Sequence, residues 1–232
     1  MAGDTAPHVV EDLLGVVQLL SDGSVVRGDE SVLGPKEPLP DVPGVEWKDV
    51  VYHAAHGLRV RVYRPASSSG TGSVKLPVLV ATARLPVSPV RVVGYVLLSA
   101  FFGGAERTAS EADPPAGVSL PVEICEQLWH MSLPVGASRD HPVANPFGPE
   151  SPSLAPVELP PALVVAPLGD VLRDRVLGYA ARLKDMGKDV ELAEFEGQQH
   201  GFSVLQPFGK AADELMRVLR RFVYQGDTNA ER

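Results

Sequence analysis

The chain has 232 residues, 44% of them hydrophobic, a mean hydropathy of +0.04 and a formal net charge of −8 at pH 7. This size and composition are typical of one globular core, so we expect residues 1–232 to form a single domain. The acidic excess gives no electrostatic reason to expect nucleic acid or a membrane as a partner. The single cysteine, Cys125, excludes an internal disulfide.

The N-terminal residues carry acidic side chains and no basic segment ahead of an apolar core. They therefore do not resemble a secretory signal, and we expect a cytoplasmic or nuclear protein. Residues 8–20 place apolar side chains at helical spacing, which predicts a helix, and residues 21–24 predict a turn after it. Four prolines in residues 29–44 predict an extended connection without regular structure.

Residues 47–52 and 59–63 predict two antiparallel strands of a hairpin. His53 and His56 lie between them without further candidate ligands nearby, so we interpret this segment as a solvated turn and expect neither a metal nor a cofactor. Residues 74–80 predict a third strand, and the apolar residues 122, 124, 125 and 128 predict part of a helix.

The C-terminal half contains the clearest succession of elements. Residues 163–166 are a short apolar run typical of a buried parallel strand, and they end at an acidic turn that contains Asp170. A helix is predicted from Leu172, with Gly187 at its end, followed by a strand over residues 190–196 and a loop that contains His200. The apolar face of a last helix is predicted from residues 208, 211, 215, 218, 219 and 222.

Asp170 and His200 each follow a predicted strand, and the carboxyl ends of parallel strands meet at one edge of a sheet. A carboxylate beside the Nδ1 proton of an imidazole selects one tautomer and stabilises the cation that forms when the ring takes a proton. Asp170 and His200 are therefore candidates for an acid and a base. The pattern is equally compatible with a capping aspartate and an ordinary loop histidine.

Two motifs in this segment are Asp170-Val171-Leu172-Arg173-Asp174 and His200-Gly201-Phe202. They resemble the Asp-x-Leu-x-Asp and His-Gly-Phe runs of the plant carboxylesterases, an α/β-hydrolase family close to the hormone-sensitive-lipase group and to the gibberellin receptor. The resemblance extends upstream through Trp129, Leu133-Pro134-x-Gly136 and residues 140–146. It implies a mostly parallel sheet with flanking helices, with Asp170 and His200 as catalytic acid and base.

The resemblance skips the middle of the family's sequence. Residues 1–80 resemble the N-terminal part of the family's sequence, and residues 87–226 resemble its C-terminal part. This chain has no counterpart of the segment that lies between these parts in the family, which contains the His-Gly-Gly-Gly oxyanion loop, two central strands and the nucleophile elbow. No Gly-x-Ser-x-Gly occurs anywhere in the chain, and Gly136-Ala137-Ser138-Arg139-Asp140 lacks the second glycine. We therefore expect a truncated α/β-hydrolase fold.

Three functions follow from the resemblance. The first is a serine carboxylesterase acting on a small-molecule ester, expected to be inactive in this form because the nucleophile is absent. The second is a non-catalytic binding protein like the gibberellin receptor, although that receptor lacks the histidine that is present here as His200. The third is a splice or gene-model product without a function of its own. Ser99 is the one serine that we consider as a substitute nucleophile.

Overall fold

The computed structural model describes residues 6–29, 31, 43–54, 58–65 and 94–229. These residues belong to two compact units, one formed by residues 1–28 and 81–232 and the other by residues 29–80. The single domain over residues 1–232 stays a prediction. The third strand predicted over residues 74–80, the junction over residues 81–87 and His56 lie outside the described residues.

Within the unit of residues 29–80, the described residues form a hairpin. Strand β4 (Val45–His53) pairs antiparallel with β5 (Leu58–Pro65), and Trp47 lies opposite Tyr63 in this register. The predicted antiparallel hairpin is confirmed.

The N-terminal part of the other unit is an antiparallel meander. It consists of β1 (Val9–Leu13), β2 (Val17–Leu20) and β3 (Val25–Arg27). The helix predicted over residues 8–20 is wrong, because Leu14 and Gly15 both have positive φ (53° and 70°) and reverse the chain. Asp12 Oδ1 accepts the N–H of Gly15 at 2.7 Å and stabilises this turn. The predicted turn after Leu20 is confirmed.

In the described part of the chain, the main sheet has three parallel strands in the order β6 (Tyr95–Leu98), β7 (Ala162–Pro167) and β8 (Val190–Phe195). Every residue of β7 is buried, as expected for a parallel strand covered on both faces. The strands predicted over residues 163–166 and 190–196 are therefore confirmed.

Successive side chains of β7 point to opposite faces of the sheet. On one face, Val164 and Ala166 pack against Val176 and Ala180 of helix α3 (Arg173–Asp185). On the other face, α5 (Lys210–Asn229) contributes Leu215 and Val218, which pack against Leu163 and Val165. Both predicted helices are confirmed, and Gly187 takes the positive φ of 71° expected just after the end of α3. Phe208 precedes α5 and is exposed, so its assignment to the apolar face is wrong.

Three further helices complete the described structure: α1 (Ala109–Ala112), α2 (Val122–Ser132) and α4 (Phe202–Leu205). The helix predicted around residues 122–128 is confirmed as α2, which buries Val122, Cys125 and Trp129. Gln127 of α2 donates a hydrogen bond to the carbonyl of Asp12, which links α2 to the N-terminal meander. Among the described helices, none combines the length and apolar composition needed to cross a bilayer.

Candidate active site

Asp170 lies in the turn that follows β7. Asp170 is 1% exposed, and its Oδ1 accepts a hydrogen bond from the backbone N–H of Leu172 at 3.0 Å. A buried carboxylate has to be hydrogen-bonded to remain ionised at an acceptable free-energy cost. The backbone bond satisfies Oδ1 and leaves Oδ2 for a second donor.

That second donor is the ring of His200, which lies in the loop after β8. Nδ1 of His200 is 2.7 Å from Oδ2 of Asp170, and the histidine side chain is 22% exposed. An ionised carboxylate can only accept, so this hydrogen bond requires the tautomer with a proton on Nδ1; in the neutral ring Nε2 is then the acceptor. The structure thus brings the two predicted site residues together, with a ring nitrogen able to accept a proton.

The acidic turn and the histidine loop are also joined through their backbones. Gly169 donates its N–H to the carbonyl of Gln198 at 2.8 Å. A Cβ at Gly169 would lie 2.9 Å from that carbonyl oxygen, closer than real contacts of this kind. Glycine at this position therefore permits the close approach that brings Asp170 within reach of His200.

Helix α1 anchors the acidic turn from the other side. The hydroxyl of Ser110 donates to the carbonyl of Val171 at 2.7 Å, and Asp174 Oδ2 accepts the N–H of Ser110 at 2.8 Å. These bonds hold the residues that flank Asp170 in sequence. They also give a structural role to Asp174, the second aspartate of the Asp-x-Leu-x-Asp run.

Arg175 and Glu111 form a buried ion pair next to this anchor, with side chains 9% and 4% exposed. The guanidinium makes bonds of 2.6 and 2.7 Å to the two carboxylate oxygens and donates to the carbonyls of Gly103 and Glu106, each at 2.7 Å. Sequence reasoning missed this pair. The spacing Thr108-x-x-Glu111 is a helix-start signal that could have pointed to the glutamate, but nothing local indicates its partner.

Ser99 follows β6 with a positive φ of 46°. Its Oγ accepts the N–H of Gly201 at 3.2 Å, so it contacts the backbone of the histidine loop. Within the described part of the chain, no serine hydroxyl is hydrogen-bonded to the ring of His200. The ring has an edge-on contact with Phe101 instead, with 6.1 Å between centroids.

Cys125 packs against Val171 and Leu172 beside the acidic turn. Burial raises the pKa of its thiol to about 12, and the negative charges of Asp170 and Glu111 act in the same direction. The thiol is therefore neutral near pH 7 and a poor nucleophile. Within the described ranges, no group of three or more histidine, cysteine or acidic side chains has a geometry that could hold a metal ion.

Comparison with known proteins identifies the family. A family model described as the alpha/beta hydrolase fold matches residues 69–204, more than half of the chain. The chain belongs to the alpha/beta hydrolase family. The predicted family and fold class are thereby confirmed, and Asp170 and His200 both lie within the matched residues.

Plant proteins are among the relatives of this chain. The gibberellin receptor GID1B of Arabidopsis thaliana is 37% identical over 165 residues, covering 71% of the chain and 45% of the receptor. The 2-hydroxyisoflavanone dehydratase of Glycyrrhiza echinata is 28% identical over 211 residues, covering 82% and 63% of the two chains. Probable carboxylesterase 9 of Arabidopsis thaliana is 29% identical over 165 residues, covering 70% and 49%. The chain thus spans less than half the length of the gibberellin receptors it matches.

Proposed function

We propose that this chain carries the acid and base of a serine carboxylesterase, Asp170 and His200, and hydrolyses no ester as a 232-residue chain. The observation that supports the pair is the 2.7 Å separation between Nδ1 of His200 and a carboxylate that is almost fully buried. The carboxylesterases among the relatives support the reaction class.

In the complete reaction, a serine oxygen attacks the carbonyl carbon of a small-molecule ester while Nε2 of the histidine takes the serine proton. The imidazolium is stabilised by the aspartate and returns the proton to the departing alcohol. Water then attacks the acyl-enzyme, with the same imidazole as base, and releases the acid and the free serine. His200, oriented by Asp170, can supply these proton transfers, including the last one back to the serine oxygen, but neither residue is the nucleophile.

The nucleophile and the oxyanion site are missing from the sequence. It contains neither Gly-x-Ser-x-Gly nor His-Gly-Gly-Gly, the two motifs that provide the elbow serine and the oxyanion N–H groups in this family. Loss of the serine alone removes roughly six orders of magnitude in turnover in subtilisin, where the oxyanion hole is still intact. We infer that the family's central segment is absent between residues 80 and 87.

The test compares the 232-residue chain with its His200→Ala variant on short activated acyl esters. We expect equal rates for the two proteins and no labelling by a serine-directed phosphonate probe. Labelling of Ser99, together with turnover that disappears in Ser99→Ala, would show that the chain has rebuilt a site and would refute the proposal.

An insertion variant tests the acid–base pair itself. The central segment of a carboxylesterase relative is inserted between residues 80 and 87, which supplies the elbow serine and the oxyanion loop. We expect esterase activity that is lost in both Asp170→Asn and His200→Ala. Activity that survives either substitution would exclude the assigned roles.

The second candidate function is non-catalytic binding of a small molecule. The observation in its favour is the identity of 37% to the gibberellin receptor GID1B. Equilibrium dialysis with a labelled gibberellin tests it, using His200→Ala as the control, because binding of this kind does not require the base. Saturable binding by both proteins would favour this candidate over an inactive esterase.

A further inference from the structure

Serine hydroxyls hold both ends of the peptide group between His200 and Gly201. Ser119 Oγ donates to the carbonyl of His200 at 3.3 Å, and the N–H of Gly201 donates to Ser99 Oγ at 3.2 Å. The two serines come from different segments, one after β6 and one before α2. Both polar groups of a single peptide plane are therefore bonded to side chains from distant parts of the sequence.

This peptide is the central one of a β-turn. The N–H of Phe202 donates to the carbonyl of Gln199 at 3.1 Å and closes the turn. Gly201 has φ 68° and ψ 17°, which are the values expected for the third residue of a type II turn. Type I and type II turns differ mainly in the orientation of the central peptide, and glycine at the third position permits both.

The orientation of this peptide sets the ψ angle of His200, and the two hydrogen bonds fix the backbone to which the imidazole is attached. We propose that Ser99 and Ser119 hold the turn in its type II form and thereby position the imidazole of His200 against Asp170. This inference rests on the proposed role of His200 as the base. Both serines act through the backbone, so they are positioning residues.

The surroundings of the two serines predict which of them contributes more to the position of the His200 imidazole. Ser99 is half-buried and keeps a positive φ, a costly conformation for a residue other than glycine, next to the buried Ala100. Ser119 is exposed, so water can replace its hydroxyl. We therefore expect the larger effect from loss of the Ser99 hydroxyl.

The experiment uses the full chain with ¹⁵N-labelled histidine. Imidazole nitrogen shifts report which nitrogen carries the proton, and saturation transfer measures how fast the Nδ1 proton exchanges with water. We expect a protected Nδ1 proton on His200 in the original chain, assigned by its loss in His200→Ala. Exchange of the Nδ1 proton with water should be about fivefold faster in Ser99→Ala, as expected for the loss of a neutral hydrogen bond. The increase should be smaller in Ser119→Ala and largest in the double variant, which loses both bonds.

Conservative variants separate positioning from general destabilisation. Ser99→Asn keeps an acceptor oxygen and tolerates positive φ, and Ser119→Thr keeps the hydroxyl, so both should retain the original exchange rate. Ser151→Ala is the matched control, because Ser151 also donates to a backbone carbonyl, that of Asn145 at 2.6 Å, outside the histidine turn. In Ser151→Ala, the imidazole nitrogen shifts of His200 and the exchange of its Nδ1 proton should not change.

Unchanged exchange and tautomer in the Ser99 and Ser119 variants would overturn the inference. If Ser99→Ala does not fold, Ser99→Gly removes the same acceptor and relieves the backbone strain, and Ser119→Ala tests the other bond at an exposed position. Failure of the proposed function looks different: Asp170→Asn would then leave the His200 signals of the original chain unaltered.

Discussion

Replacement of Arg175 by methionine tests the contribution of the buried ion pair to stability. The change keeps the apolar stem of the side chain but removes the guanidinium, which leaves the Glu111 carboxylate and the carbonyls of Gly103 and Glu106 without this donor. Loss of one partner from a buried pair costs about 3–5 kcal/mol. The stability of a whole domain is about 5–15 kcal/mol, so the variant should lose a large share of it.

Urea unfolding followed by the fluorescence of the buried Trp129 measures this loss. The matched control is Arg217→Met, because Arg217 pairs with Glu214 at a site where the two side chains are 71% and 53% exposed. An exposed pair contributes about 0–1 kcal/mol. If the free energy of unfolding of Arg175→Met falls by no more than that of Arg217→Met, the buried pair does not stabilise the acidic turn.

A compensating variant separates the loss of charge from the loss of shape. In Arg175→Met/Glu111→Leu no unpaired carboxylate remains buried, so most of the lost stability should return. A double variant as unstable as Arg175→Met would mean that the bonds from Arg175 to the loop carbonyls, and not the unpaired charge, account for the cost.

Three further predictions concern other groups. Because burial raises the pKa of Cys125 to about 12, iodoacetamide at pH 8 should alkylate it in urea but not in the folded chain, as measured by mass spectrometry; equal rates would contradict this. The N–H of Ala105 and the amide of Asn145 lower the pKa of Asp140 below its ordinary 3.8, so its ionised form stabilises the fold above that pH. The original chain should have a free energy of unfolding higher than that of Asp140→Asn by less than about 1 kcal/mol, because the site is solvated. This difference should vanish as the pH falls through the pKa of Asp140 in the folded chain. A difference that grows in acid would refute the prediction. Since the two strands that flank residues 74–80 in the family have no counterpart in this sequence, we expect a chain of low stability that aggregates on heating, and reversible cooperative thermal unfolding of purified monomer would count against this.

Local sequence patterns were enough to predict the segment β7–α3–β8 and the two residues at its strand ends. The apolar run of β7, the helical period of α3 and Gly187 at its end are local signals that agree with one another over consecutive residues. The parallel order of the strands then places Asp170 and His200 at the same edge of the sheet, because carboxyl ends of parallel strands meet there.

The N-terminal meander and the hydrogen bonds around Asp170 and His200 depend on long-range packing. Apolar spacing over residues 8–20 fits a helix, but the turn at Leu14 and Gly15 and the pairing of β1 with β2 make this segment a hairpin. The ion pair of Arg175 joins residues 64 positions apart, and the bond from Gly201 to Ser99 spans 102. Contacts at such separations depend on how the chain packs, and no local pattern of residues encodes them.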